Sequence, residues 1–432
     1  MNILNRIKID SLWSLLLVFL LCACGESGDS VVVSRICSQK VDDLETELTR
    51  IRLGETIRIE GSGFSTTKVI YCNGKEVSGV NRNYITDTQI ILTIPESIPL
   101  GSEVEDPNDL NTLRIVTEHS EFVYSVVVSA GTPTITGISH TLPEAGDVIE
   151  IYGTNLRGID KIIFPGGVVV EPGGFIESTD YKTVRVTVPE GGDQEPGYLT
   201  IEGVSGGVYS YNYMNCKDGI FINRFSPGND AYSYGGSGVT STLLAVLPEA
   251  TNGEPGNPEF YRGMPAEAQT ISSSLDGYTV GILPFDSQKA WEIALTNGLI
   301  DNATLCDNVA IQFDYYVTCP WSAGAMRWEM ISGDQNFRNT TVPWVQSGEI
   351  VPITFNGGWR TLTMPLNEVT GLKGITVASA LEASTGKTGR LFMVIGNFQV
   401  NGTYYRGISM SNFQFFLGNV RIVPYVKKYY NN

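Results

Sequence analysis

Apolar and polar residues alternate over short stretches along most of this chain. In Thr56-Ile57-Arg58-Ile59-Glu60 and again in Val148-Ile149-Glu150-Ile151-Tyr152, Ile recurs at every second position. That is the period of a strand with one buried face. Residues 309–317, 326–331, 361–366, 391–395 and 413–423 read as further strands, separated by clusters of Gly, Asn, Ser and Pro. With Gly 47 and Pro 20 in 432 residues, tight turns are favoured over long helices, and the predicted class is all-β. A chain of this length exceeds one ordinary hydrophobic core, so several domains are expected.

Within the first half the pattern repeats. Gly54-Glu55-Thr56-Ile57-Arg58-Ile59-Glu60-Gly61-Ser62-Gly63-Phe64 matches Gly146-Asp147-Val148-Ile149-Glu150-Ile151-Tyr152-Gly153-Thr154-Asn155-Leu156 position by position. Each copy has a turn glycine, an alternating strand, and then a bend where positive φ is easiest, which Asn155 tolerates in place of Gly63. A second pair follows at similar spacing: Thr86-Asp87 leading to Thr93-Ile94-Pro95-Glu96, and Thr179-Asp180 leading to Thr187-Val188-Pro189-Glu190. These units, 45–130 and 134–215, resemble IPT/TIG immunoglobulin-like domains, which implies two tandem β-sandwiches that space and orient another domain.

The first residues have a different character. Arg6 and Lys8 precede residues 12–21, which are apolar apart from Ser14, and the stretch ends in Leu21-Cys22-Ala23-Cys24. A basic region followed by a short hydrophobic one is a signal peptide, predicted over 1–23, and its end resembles the bacterial lipobox with Cys24 as the acylated residue. Lipidation there implies anchoring to a membrane without spanning it. The acidic tether within 24–44 resembles the export signals of surface lipoproteins in Bacteroidetes-type bacteria, implying an outer-membrane location facing the exterior. Of the remaining cysteines, Cys37, Cys72, Cys216, Cys306 and Cys319 match no zinc spacing. Cys306 and Cys319 are either a bridge between neighbouring strands or free thiols. No metal or cofactor is predicted.

Residues 217–432 hold every tryptophan beyond the signal: Trp291, Trp321, Trp328, Trp344 and Trp359. The segments Pro320-Trp321-Ser322-Ala323-Gly324, Pro343-Trp344, Gly358-Trp359-Arg360-Thr361-Leu362-Thr363-Met364-Pro365-Leu366 and Phe416-Leu417-Gly418-Asn419-Val420-Arg421-Ile422-Val423-Pro424 resemble the C-terminal domain of Bacteroidetes surface glycan-binding proteins. That resemblance implies a jelly-roll-like carbohydrate-binding sandwich, a polysaccharide ligand of the β-glucan class such as xyloglucan, and a SusC/SusD-type transport complex as partner. A flat ring suits the C–H face of a pyranose while polar neighbours take its hydroxyls. Trp321, Trp344 and Trp359 start at turns, where side chains reach solvent, and with Trp328 and Tyr404 they are the predicted glycan contacts. Trp328 shares a strand face with two methionines, which favours the core, and Trp291 also reads as core. Arg360, Gln335 and Asn336 are either hydroxyl partners or solvated surface.

Charge and chemistry narrow the function. A net charge of −17 repels a phosphate backbone and sets nucleic acid aside. His119 and His140 are the only histidines and both precede the C-terminal domain, so that domain has no histidine triad or His-Glu-x-x-His site. Asp314, Glu329, Asp334 and Glu349 are carboxylates of the type a glycosidase pairs, but no catalytic motif surrounds them. Binding rather than turnover is the expectation, with a surface adhesin as the alternative.

Overall fold

The repeated segment forms the same structure twice. The computed structural model describes residues 30–40, 42, 44, 46–222, 244–245, 261–271, 279–330, 337–346, 348–354, 359–395, 398–400 and 403–426. Cys24 and its lipobox, and also Asp334, Gln335 and Asn336, lie outside the described residues. In each copy the turn glycine accepts positive φ, +72° at Gly54 and +96° at Gly146. Gly54 N–H donates to Ile94 O at 2.8 Å and Gly146 N–H to Val188 O at 2.9 Å. The later bend has φ +78° at Gly63 and +53° at Asn155, and the apolar residue after it, Phe64 or Leu156, is fully buried. Thus Asn does the work of Gly by entering the left-handed region.

The chain divides into two compact units, Met1–Gly131 and Thr132–Asn432. In the first, an antiparallel sheet of Val32–Ser38, Thr56–Ser62 and Gln89–Thr93 accompanies a second of Lys75–Glu76, Thr67–Cys72, Thr112–Thr117 and Glu121–Ser125. Ile57, Ile59 and Ile90 of one and Ile70, Leu113 and Ile115 of the other are buried. The second unit begins with a module of the same kind. Thr134–Ile138, Val148–Thr154, Thr183–Thr187 and Phe175–Glu177 form one sheet, and Val169–Val170, Ile159–Ile163, Gly197–Gly203 and Gly206–Met214 the other. Ile149, Ile151, Val184, Val186, Leu199 and Ile201 share its core.

Beyond it comes a larger antiparallel sandwich. Its first sheet runs Leu244–Ala245, Tyr261–Ile271, Met410–Pro424, Val309–Val317, Arg360–Pro365, with Ile220–Ile222 also paired to Met410–Pro424. Its second runs Thr279–Asp286, Thr388–Ile395, Ala325–Glu329, Arg338–Thr341. Alternation sends Phe313, Tyr315 and Val317 into the core with Met326, Trp328, Leu391, Phe415 and Leu417. The all-β class is observed, with two short α-helices among the described residues, Ser287–Thr296 and Val377–Ser384. Asp286 caps the first by accepting from Lys289 N–H at 2.9 Å, and Ala290, Trp291 and Ala294 bury one face of it.

The opposite residues of Val309–Val317 point out of the first sheet, yet Gln312 and Asp314 are 0% and 1% exposed. They are covered by the preceding module. Arg421 Nη2 donates to Asp314 Oδ1 at 3.0 Å and to Thr141 Oγ1 at 2.7 Å, and its Nε donates to Gln312 Oε1 at 3.1 Å. Arg360, the residue predicted for sugar or solvent, donates instead to Tyr152 Oη and, at 3.3 Å, to Glu150 Oε2. It is committed to the joint because its guanidinium reaches a phenol and a carboxylate already bonded to each other.

Two predictions follow from these environments. Burial alone would raise the Asp314 pKa, but the Arg421 guanidinium and His140, whose Nε2 lies 3.8 Å away, hold it well below the usual range. A depressed folded pKa gives stability that is complete above the unfolded value of about 4 and declines as pH falls below it. Thermal melts of the full chain should lose midpoint more steeply below about pH 4 in wild type than in Asp314→Asn. As for the thiols, none of the five described cysteines is paired; Cys37, Cys72, Cys216 and Cys306 are buried and only Cys319 is partly exposed. Burial pushes the Cys72 and Cys306 thiols up to about 12. A native maleimide pulse read by mass spectrometry should label Cys319 first among these five.

Candidate functional site

At one end of the large sandwich three segments are tied together through indoles and backbone. Trp321 exchanges two 2.9 Å backbone hydrogen bonds with Ile353, and its Nε1 donates to Ala323 O at 2.7 Å. Its ring meets Tyr315 and Phe415 edge-on, with centroids 5.7 and 5.5 Å apart. Trp344 Nε1 donates to Gly324 O at 2.5 Å, the carbonyl of Trp344 accepts from Val351 N–H at 2.8 Å, and its ring lies edge-on to Tyr405 at 6.4 Å. Ile408 N–H donates to Ser322 O at 2.9 Å and Ser322 Oγ donates to Ile408 O at 3.1 Å.

These contacts correct the expected exposure of the tryptophans. Trp321, Trp328 and Trp344 are 0% exposed and Trp359 is 5% exposed. Trp321 and Trp344 do begin at turns, but each indole folds inward, where its N–H finds a backbone carbonyl and its rings find aromatic neighbours. Trp328 is in the core with Met326 and Met330, on the face that strand alternation assigns it. Trp359 packs with Phe416 and Tyr316 on the outer side of the first sheet, 5.8 Å from the Tyr316 ring. The backbone of Tyr404 pairs with Gln399 in a hairpin, and its side chain lies outside what is described.

What this end presents to solvent is the set of residues next to the buried rings. Ile350, Val351 and Ile408 are 41%, 37% and 50% exposed, Tyr405 is half-buried, and Glu349 and Arg406 are exposed. Exposed aliphatics around a partly open ring, with charged groups beside them, offer both C–H contact and hydroxyl partners. The sequence signal was faint: Ile350-Val351 lies between Gly348 and Pro352, and Ile408 follows Gly407, so these apolar residues sit beside turn-forming residues. Of the four carboxylates, Asp314 is held by Arg421, Glu329 is buried, and Glu349 is exposed. Among the described residues no group of three or more His, Cys, Asp or Glu is arranged to hold a metal ion.

Residues 277–424, which span most of this sandwich, match the family described as the surface glycan-binding protein B xyloglucan binding domain. Over that stretch the C-terminal domain is similar to that family. Over a longer stretch, the chain is 26% identical across 365 residues to an IPT/TIG domain-containing protein of Bacteroides ovatus, covering 79% of this chain and 69% of that protein. The solved structure of the surface glycan-binding protein PbSGBP-B from Prevotella bryantii superposes with a TM-score of 0.62 at 15% identity, covering 92% of this chain and 99% of that one. That likeness is one of fold. The glycan-binding domain therefore follows immunoglobulin-like modules in this chain, and its candidate surface is the end built on Trp321, Trp344 and Tyr405.

The backbone at this end is tightly specified at Gly407. Its φ is +73°, and a Cβ there would stand 2.1 Å from Ser322 O. Gly407→Ala is expected to destabilise the glycan-binding domain by more than about 1 kcal/mol, read as a lower urea midpoint in tryptophan fluorescence.

Proposed function

We propose that this protein is a cell-surface lipoprotein, anchored to the outer membrane through Cys24, that captures a polysaccharide of the β-glucan class, xyloglucan foremost, without turning it over. The family match over residues 277–424 carries the reading. The immunoglobulin-like modules stand between the anchor and the glycan-binding domain, and the captured polymer passes to a SusC/SusD-type transport complex. Many anchored copies engaging one long chain raise the effective concentration, so modest contacts per site suffice.

We place the ligand on the sandwich end around Tyr405, Ile350, Val351 and Ile408, with Trp321 and Trp344 as its rigid floor rather than its surface. Preorganisation of that floor lowers the ordering cost of binding. Glu349 and Arg406, exposed and next in sequence to Ile350 and Tyr405, are the charged groups offered to sugar hydroxyls.

Affinity electrophoresis of the full chain through gels cast with xyloglucan, mixed-linkage β-glucan, laminarin, galactomannan, arabinoxylan and starch tests the ligand class. Retardation by xyloglucan with no reducing sugar released is expected. Retardation by none of them, alongside adhesion to a protein surface, would replace this reading with that of an adhesin. For the surface, Tyr405→Ala and Ile408→Asp should each weaken retention about tenfold, equivalent to about 1.4 kcal/mol, with unchanged circular dichroism. Undiminished retention by both folded variants would move the ligand elsewhere on the domain.

A further inference from the structure

The segment joining the second immunoglobulin-like module to the glycan-binding domain has no slack. The module's last strand ends at Met214 and the domain's first begins at Ile220. Between them Asn215 N–H donates to Thr141 O at 2.8 Å, and Asn215 Nδ2 donates to Gly192 O and Glu195 O, each at 2.9 Å. Gly219 O accepts from Ile422 N–H at 3.1 Å, so the connection is fastened to the module at one end and to the domain's sheet at the other. Hinges are made of residues that can absorb a φ/ψ change, and here both ends of the segment are already committed.

Beside the connection, the module covers a polar sheet face. Thr141 is central to it. Its hydroxyl donates to Gln312 Oε1 at 3.2 Å and accepts from Arg421, and its N–H donates to Thr361 Oγ1 at 2.9 Å. Thr361 N–H in turn donates to Ser139 O at 2.7 Å, and Asn212 Nδ2 donates to Thr363 Oγ1 at 2.8 Å. Thr361 and Thr363 lie on Arg360–Pro365, the last strand of its sheet, so the module also occupies part of that edge. An apolar contact completes the joint: Cys216, Ala310 and Val423 are buried together with Tyr213, Leu299 and Tyr425 packed against them.

We infer that the second immunoglobulin-like module and the glycan-binding domain are one cooperative folding unit, locked through Thr141 onto the buried Arg421–Asp314 pair. Separating them would leave Gln312, Asp314 and Arg421 without the partners that the module supplies, and would open the edge at Thr361. A fully satisfied buried polar network is rigid, whereas a partly satisfied one is costly. The unit therefore moves as one body, and the module fixes the direction in which the domain's open end faces.

Tryptophan fluorescence separates this from independent folding, because Trp291, Trp321, Trp328, Trp344 and Trp359 all lie in the domain and none in the module. In the full chain carrying Trp13→Phe, the core substitution Leu199→Ala in the module should lower the tryptophan-reported melting midpoint by about 5 °C or more. A tryptophan midpoint unmoved by this substitution, with a separate earlier transition in circular dichroism, would overturn the inference. Ile151→Val serves if Leu199→Ala does not fold, with a smaller shift in the same direction expected. Adding Thr141→Val should split the single transition in two; a transition that stays single would overturn the assignment of the lock to Thr141.

Discussion

The burial of Arg421 against Asp314 is the constraint around which the second unit is arranged. Both side chains project from the outer face of a sheet, where charged groups ordinarily remain in water, and both are within 1% of complete burial. Removing such charges from solvent is costly, and their mutual attraction offsets this only when the remaining donors and acceptors are satisfied. Asn419 Nδ2 supplies Asp314 Oδ2 at 2.9 Å, Thr361 Oγ1 supplies Oδ1 at 2.7 Å, and Asn419 O takes Arg421 Nη1 at 2.7 Å. Thr141 completes the set from the neighbouring module. An ion pair of this kind is not a strong source of stability by itself; its effect is to make one mutual orientation of module and sheet much better than any other.

That orientation decides what remains available for a ligand. The middle of the first sheet's outer face is closed by the module, and the sandwich interior is filled by rings: Tyr315 stacks on Phe415 at 5.6 Å and 14°, and Trp321 meets both edge-on. The second sheet carries Arg327 and Glu329 outward from the strand that buries Trp328. Arg327 Nε donates to Thr340 Oγ1 at 3.2 Å, and burial, then the proximity of Arg338, lowers its pKa. The end at Trp344 and Tyr405 differs in kind, since there aliphatic side chains remain exposed over a rigid aromatic base. A sugar needs contact area and a few hydroxyl partners, and this end has exposed Ile350, Val351 and Ile408 with Glu349 and Arg406 adjacent in sequence.

Period-two alternation made the strands legible in the sequence. Residues 309–317 form the strand read from them, and the repeated bends at Gly63 and Asn155 have the positive φ their residue types imply. Ser287–Thr296 escaped because Ala290, Trp291 and Ala294 recur at helical rather than strand spacing, a period masked by the surrounding β pattern. Exposure of individual tryptophans was not legible either. A proline before Trp321 or Trp344 places the backbone at a turn, but whether the ring turns outward depends on which carbonyls and rings the fold brings within reach, and Gly324 O lies 20 residues from the indole that uses it. The role of Arg360 was hidden for the same reason: its partners Glu150 and Tyr152 are more than 200 residues away in sequence.

The repeat and the joint together explain why the two immunoglobulin-like copies are not equivalent. The strand in each copy alternates, so Arg58 and Glu60 of the first copy occupy the outward positions that Glu150 and Tyr152 hold in the second. In the first copy Glu60 pairs with Arg35 at 2.7 Å and Arg58 at 2.9 Å, both within its own unit. In the second copy Glu150 instead reaches Arg360 of the glycan-binding domain at 3.3 Å, alongside Tyr152, whose phenol burial pushes up to about 12. At Tyr152 the first copy has Glu60, and at Glu150 it has Arg58, so the registered positions read Arg58-Ile59-Glu60 against Glu150-Ile151-Tyr152. Arg58 where the second copy has Glu150 would repel Arg360, and Glu60 could not offer the ring over which the Arg360 guanidinium lies at 5.8 Å. One fold thus serves two positions in the chain, and in the second copy the outward Glu150 and Tyr152 of this strand add Arg360 to the contacts that Thr141 makes with Gln312 and Arg421.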